Sequence, residues 1–245
     1  KKKKKRKQKM KLVQQDTQLS ILEVRIDGAP NVEKENNFVR HNKLFGRNIR
    51  GLFIGPSGCG KTSALPSLIY NPNGISFKNI YIFSKSLYQS KYQELGVVMG
   101  NVPEIGYFTF NDSESVPSPD VIQPYSVMVF DDVASDSGKN QHLRAYFSMG
   151  RHKHVDTFFL CQTYSAVPKQ LVRDNANVIL LFRQDTLNLK HVFEDHVIPD
   201  MKFEKFCEMC SLAWNESDFG CLTINKDCNL HDGRYRVGFD NYIIL

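Results

Sequence analysis

Short runs in which nearly every residue is apolar alternate along this chain with stretches of helical or turn-like character. The runs are residues 50–54 (RGLFI), 80–84 (IYIFS), 126–130 (SVMVF), 157–161 (TFFLC) and 178–182 (VILLF), with a shorter candidate at 106–110. Strands without polar alternation are buried on both faces, which predicts a parallel sheet with helices packed above and below it. Residues 63–70 (SALPSLIY) and 140–149 read as helices, 71–74 (NPNG) as a turn and 113–124 (SESVPSPDVIQP) as a proline-rich surface loop. A further strand is expected at 19–26 (LSILEVRI), broken by the DGAP that follows it. No internal repeat is evident. No run of 18 apolar residues occurs, so no membrane span is expected.

Composition changes this picture at one end only. A chain of 245 residues with 41% hydrophobic content is enough for one α/β domain and its core. The net charge of +6 comes from residues 1–11 (KKKKKRKQKMK), which hold nine of the 32 basic residues and no acid. The rest carries 23 basic against 26 acidic residues, about −3. Residues 1–18 are therefore read as a disordered basic tail and 19–245 as the domain. Such a tail can bind nucleic acid, an anionic surface or a nuclear import receptor, or simply aid solubility. The basic run leads into polar residues and not into an apolar core, which argues against a secretory signal. A start at Lys1 without Met suggests an incomplete N-terminus.

Six cysteines, at 59, 161, 207, 210, 221 and 228, fit reduced thiols inside a cell better than a disulfide framework. Cys207 and Cys210, followed by Cys221, Cys228 and His231, make a loose zinc-ligand set that lacks a second short knuckle; ordinary packing of small apolar thiols is the competing reading.

The sharpest chemical signal is residues 55–62, GPSGCGKT, which fit the phosphate-loop pattern G-x-x-x-x-G-K-[ST] at every fixed position. Gly55, Gly58 and Gly60 let the backbone turn so that successive N–H groups point at phosphate oxygens. Pro56, Ser57, Cys59 and Ser63 complete the stretch in contact with nucleotide. Lys61 supplies a charge to the β- and γ-phosphates, and the Thr62 hydroxyl can ligate Mg²⁺. The strand before the loop and the helix after it supply the required context, because a helix N-terminus favours anions.

The run VMVF ends on Asp131, followed by Asp132. A strand that delivers a carboxylate to the carboxyl edge of a parallel sheet places it where ligands of such folds bind. Asp131 would hold Mg²⁺ through water and Asp132 would position the attacking water. Adjacent acids at a strand end also serve as helix caps. Gln162 ends TFFLC at the same edge, either sensing the γ-phosphate or simply solvated. Arg151, in GRH before that strand, could reach a neighbouring subunit's nucleotide; Arg144, Arg173 and Arg183 are rivals. A P-loop GTPase would need N-K-x-D, and NKD at 225–227 lacks the intervening residue.

Taken together, GPSGCGKT, VMVFDDV, GRHKHVDTFFLCQ and VPKQLVRDNANVILLF resemble the FtsK/HerA superfamily of P-loop motor ATPases. The resemblance is nearest to the DNA-packaging ATPases of large eukaryotic DNA viruses, of poxvirus type, and their relatives in virophages and Polinton/Maverick elements. It spans residues 45–200. It implies a three-layer P-loop NTPase fold of additional-strand type with a mainly parallel central sheet, and the cofactors ATP and Mg²⁺. It also implies a homo-oligomeric ring of five or six subunits that drives double-stranded DNA into a capsid, with capsid or portal proteins as partners. The expected setting is intracellular, in virions, viral factories or the host nucleus. On this chain it assigns Lys61 and Thr62 to phosphate and Mg²⁺, Asp131 to the metal side, Asp132 to the base, Gln162 to the polar sensor and Arg151 to the arginine acting in trans. Many members carry glutamate where Asp132 stands. Lys139, in the loop 134–141, and Lys153, in the basic cluster 151–154, are the DNA-contact candidates. The competing functions are a P-loop kinase or other nucleotide-binding ATPase, and a DNA-binding protein with a degenerate nucleotide site.

Overall fold

The computed structural model describes residues 11–14, 41, 45, 46, 48–133 and 141–245. The expected strand at 19–26 and Lys139 with most of its loop lie outside these residues. The strands are β1 (Lys11–Gln14), β2 (Arg50–Ile54), β3 (Asn79–Ser84), β4 (Gly106–Phe110), β5 (Ser126–Asp131), β6 (Val155–Cys161), β7 (Val178–Leu181), β8 (Leu222–Asn225), β9 (Tyr235–Val237) and β10 (Asn241–Ile244). The helices are α1 (Lys61–Tyr70), α2 (Ser90–Gly100), α3 (Gln141–Met149), α4 (Thr186–His196) and α5 (Phe203–Trp214).

The ten strands among the described residues form one sheet in the order β1-β10-β9-β8-β7-β2-β6-β5-β3-β4. From β7 to β4 every pairing is parallel. Strand β6 lies between the loop strand β2 and the Asp-Asp strand β5, with Phe159 opposite both Leu52 and Phe130. This inserted strand makes the molecule an additional-strand P-loop NTPase fold.

Both faces of the parallel part are covered, as uninterrupted apolar strands require. Leu52, Ile54, Met128 and Phe130 point into a core closed by Tyr146 and Phe147 of α3, Val192 of α4 and Phe206 and Met209 of α5. Their neighbours Phe53, Val127 and Val129 point the other way, against Leu65 and Leu68 of α1 and Leu95 and Met99 of α2. Alternation of period two along each strand thus feeds two cores.

The sequence predicted a parallel sheet; three antiparallel strands from the C-terminal region and one from residues 11–14 extend it. β8 pairs with β7, β9 with β8, β10 with β9, and β1 closes the edge against β10. Residues 11–14 therefore leave the tail to which the charge pattern assigned them. An unpaired β10 would present a row of backbone donors and acceptors, and β1 satisfies them. The cysteines do not assemble as a ligand set: Cys210 is buried in the α5 core on one face and Cys221 in the core on the other. Among the described residues no group of three or more His, Cys, Asp or Glu could hold a metal, and no helix is long and apolar enough to cross a membrane.

Candidate nucleotide site

At the carboxyl edge of the parallel strands, β2 runs into the turn 55–60 and then into α1. Gly60, the residue before α1, has φ 104°, in the left-handed region that a Cβ disfavours. Gly55 is needed for a different reason: an added Cβ would come within 2.5 Å of Cys59 Sγ and of Phe182 Cβ. The Lys61 ammonium is folded back under the loop, donating to the carbonyls of Gly55 (2.5 Å) and Pro56 (2.8 Å). Its side chain is buried, so its charge stays close to whatever the loop encloses.

A cavity of about 260 Å³ opens at this loop. It is lined by Ser57, Gly58, Gly60, Lys61, Thr62 and Ser63 from the loop and α1, Asp131 and Asp132 from the end of β5, and Gln162 from the end of β6. The structure thus brings together every loop residue the sequence emphasised except Cys59 and except Gly55 and Pro56, whose carbonyls hold Lys61, and adds both acids and the glutamine. The N-terminus of α1 contributes a positive dipole end to the cavity.

The two acids differ in environment. Asp131 is buried, and its Oδ2 accepts a 2.5 Å hydrogen bond from the Tyr92 hydroxyl of α2. Burial pushes its carboxyl pKa up, while the Tyr92 hydrogen bond pulls it down; Asp132 adds to the rise and Lys61 opposes it. Asp132 is exposed, with φ 53°, and its N–H donates to the Leu160 carbonyl at 3.1 Å. A left-handed backbone at a non-glycine residue costs of order 1 kcal/mol or more, though aspartate tolerates it better than most. Here it lets one strand end present one acid buried and the next in the open cavity.

Thr62 and Asp131 line the same cavity with hard oxygen donors, a hydroxyl and a carboxylate. That donor chemistry suits Mg²⁺ and carries no sulfur or imidazole that would select a softer metal. The cavity's one cysteine, Cys161, is buried, and its thiol pKa is pushed up to about 12, chiefly by burial.

The segment carrying Gln162 is fastened from below. Gln184 Nε2 donates to the Gln162 carbonyl (3.1 Å), and the Ser165 N–H donates to Asn188 Oδ1 (2.9 Å). Buried Tyr164 lies 2.8 Å from both Asp195 Oδ2 and His196 Nε2. Arg173 lies 4.3 Å over the Tyr164 ring and donates to Asp195 at 3.1 Å. This inward engagement occupies one of the rival arginines.

Arg151 and Lys153 are not part of the cavity. They lie in the exposed turn Gly150–Lys153, which precedes β6 and so sits at the opposite, amino edge of the sheet. The seven residues of β6 put about 20 Å between that turn and Gln162. Lys153 pairs there with Asp120 at 3.2 Å. Sequence reasoning missed Tyr92, Gln184 and Phe219, the last of which also lines the cavity. Tyr92 lies 39 positions before Asp131, and no spacing rule links a helical tyrosine to a strand-end acid.

Known proteins resemble both the sequence and the fold. The family described as Poxvirus A32 protein matches residues 120–215, which include Asp131, Asp132, Arg151 and Gln162. DNA packaging protein OPG160 of variola virus is 28% identical over 156 residues, covering 56% of this chain and 54% of that protein. Its monkeypox virus counterpart is 27% identical over 169 residues, covering 62% and 52%. The chain spans about half the length of these relatives. The genome packaging NTPase B204 from Sulfolobus turreted icosahedral virus 2, solved in complex with sulfate, shares the fold, with a TM-score of 0.50 and 12% identity over 82% of this chain and 97% of that one.

Proposed function

We propose that this chain is an ATP-driven motor that moves double-stranded DNA into a viral capsid, hydrolysing ATP to ADP and phosphate in a ring of five or six copies. One observation carries the enzymatic half: Lys61, Thr62, Asp131, Asp132 and Gln162, from three separate strand ends, line a single cavity at the sheet's carboxyl edge. Similarity to DNA packaging proteins supports the DNA half.

In this reading the amides of residues 55–62 and the Lys61 ammonium hold the β- and γ-phosphates. Thr62 and, through water, Asp131 would hold Mg²⁺, which would supply positive charge to the β- and γ-phosphates. With Oδ2 of Asp131 engaged by Tyr92, Oδ1 is the oxygen left to face the cation. Asp132 orients a water toward the γ-phosphorus and takes its proton as the new P–O bond forms and the bond to the β–γ bridging oxygen breaks. Gln162 contacts the γ-phosphate or that water.

Arg151 cannot serve the site of its own chain from the amino edge. Its proposed role is to act on the nucleotide of a neighbouring subunit. Lys153 and Lys139 are proposed as sequence-neutral phosphate contacts, which translocation favours because every base pair must pass. Viral factories or virions are the proposed setting, with capsid or portal proteins as partners. Residues 1–18 are proposed as a basic arm apart from the pairing of β1, and 19–245 as one ATPase domain.

The direct test is ATP-dependent displacement of a triplex-forming strand from a duplex by the assembled protein. Displacement that requires Mg²⁺-ATP and disappears in Asp132→Asn is the expected result. Hydrolysis without any displacement on any duplex would leave an ATPase that is no DNA motor.

A further inference from the structure

Arg151 can meet a neighbour's nucleotide only where the amino edge of one copy lies against the carboxyl edge of the next. Such a contact is head-to-tail: it joins two different patches of the chain and repeats around a ring. Each patch must therefore carry what the other lacks.

The amino-edge patch is positive and short of acceptors. Arg50 opens β2 opposite Thr157 of β6, and the turn Gly150–Lys153 packs beside them, since a Cβ on Gly150 would lie 3.3 Å from Thr157 Oγ1. Arg50 is half-buried, and its Nε is enclosed without a hydrogen-bond partner among the described residues. Burial, and then the charge of Arg151, lowers its pKa; Asp227 opposes them, but its Oδ2 already accepts from Asn177 Nδ2 at 2.7 Å. A half-buried guanidinium beside a second one is costly until an anion arrives. Next to the turn, at the end of α3, Met149 is 40% exposed.

The rim of the phosphate cavity is the converse. In the turn 215–220 after α5, Glu216 and Asp218 are exposed and make no ion pair among the described residues. Between them and the cavity stands Phe219, which lines that cavity and is 57% exposed. The turn is held firmly: Gly220 N–H donates to the Ser217 carbonyl (2.9 Å), Arg183 Nη2 to Asn215 Oδ1 (2.9 Å) and Trp214 Nε1 to the Leu181 carbonyl (2.9 Å). A preformed turn loses little freedom on docking, and an aromatic ring is a common anchor of such contacts.

We propose that the 215–220 turn of one copy docks on the amino-edge patch of the next, Glu216 and Asp218 against Arg50 and Phe219 against Met149, and that this contact delivers Arg151 to the neighbour's cavity. It rests on the ring reading given above. The carboxylates supply the acceptors that Arg50 lacks, and a thioether packs well on an aromatic ring. Arg151 then stands beside Phe219, at the mouth of the cavity that Lys61 and Asp132 line.

The mass of the full chain's assembly, followed against protein concentration in Mg²⁺-ATP, tests this contact. Glu216→Lys with Asp218→Lys should raise the concentration needed for assembly about 10-fold or more, because like charges then face each other, and Arg50→Glu should do the same. All three reversals in one chain should bring assembly back to within about threefold of the parent, since every interface then pairs opposite charges again. Glu216→Gln with Asp218→Asn changes only the exposed turn and leaves β2 intact; it should weaken assembly and flatten its dependence on salt. Unchanged assembly in the turn variants, or no recovery in the combined chain while Arg50→Glu still binds nucleotide, would overturn the contact. A parent that stayed monomeric at every concentration would remove the ring itself, and this contact with it.

Discussion

The hydroxyl of Tyr92 donates a 2.5 Å hydrogen bond to Oδ2 of Asp131, joining the middle of the sheet to helix α2 at the edge of the phosphate-loop cavity. The Tyr92 backbone carbonyl in turn accepts from the Tyr107 hydroxyl at 3.2 Å. Partners that orient a metal-side carboxylate tune metal affinity by about 10–100-fold. Tyr92→Phe should therefore raise the Mg²⁺ concentration needed for tight nucleotide binding by that factor while leaving Mg²⁺-free nucleotide affinity unchanged. Nucleotide titrations at stepped Mg²⁺ concentrations check it. Equal weakening with and without Mg²⁺ would make Tyr92 a packing residue only.

Lys61 and Asp132 should separate binding from turnover. Lys61→Ala removes the buried charge under the loop and should abolish tight ATP binding. Asp132→Asn keeps the shape of the exposed strand-end residue but not its basicity. It should bind ATP normally and lose about 10²–10⁴ in turnover. Calorimetry beside single-turnover hydrolysis distinguishes the two.

Arg151 stands at the wrong edge for its own nucleotide. Arg151→Ala should bind ATP as the parent does and lose about 10³–10⁵ in turnover if its guanidinium acts in trans. Mixed with Lys61→Ala subunits under conditions where mixed rings form, it should regain activity, because each variant supplies what the other lacks. No recovery in proven mixed rings would remove Arg151 from the mechanism.

His196 predicts how stability depends on pH. Burial, with Lys226 next, holds its pKa down at about 3 against a usual 6.5. Lys226 Nζ lies 3.5 Å from Nδ1, which fits an Nε2–H tautomer that donates to Tyr164 while Tyr164 donates to Asp195. The sign follows from proton uptake: below pH 6.5 the unfolded chain gains a proton that the folded one refuses until about pH 3. Stability should thus fall on acidification through this window, by at most about 1.4 kcal/mol per pH unit from this group. Urea midpoints from pH 7 to 4 should show a steeper decline for the parent than for His196→Gln. Equal slopes would mean His196 is not held neutral.

The parallel half of this fold was legible because its strands are buried on both sides. RGLFI, SVMVF and TFFLC have no polar alternation, and each appears within two residues of its expected bounds. The phosphate loop was legible because glycine and lysine have few substitutes there. Strands β9 and β10 were hidden by their brevity and by polar residues such as Arg236 and Asn241, and β1 by the lysine run around it. The acids, the loop and Gln162 come together as expected because the carboxyl edge gathers the ends of parallel strands. Arg151 does not, since a residue before a strand lands at the edge opposite to one after it. Tyr92 and Phe219 reach the site only through tertiary packing, which no local pattern encodes.

The central claim is that residues 55–62 grip a triphosphate which Asp131 and Asp132 then cleave in an assembly coupled to DNA. Phosphate release from Mg²⁺-ATP, measured against protein concentration with and without duplex DNA and beside the mass of the assembly, tests it most directly. Turnover that rises more steeply than concentration as rings form, and rises again with duplex, is predicted. Robust turnover by a strict monomer indifferent to DNA, or no turnover in assembled protein, would contradict it.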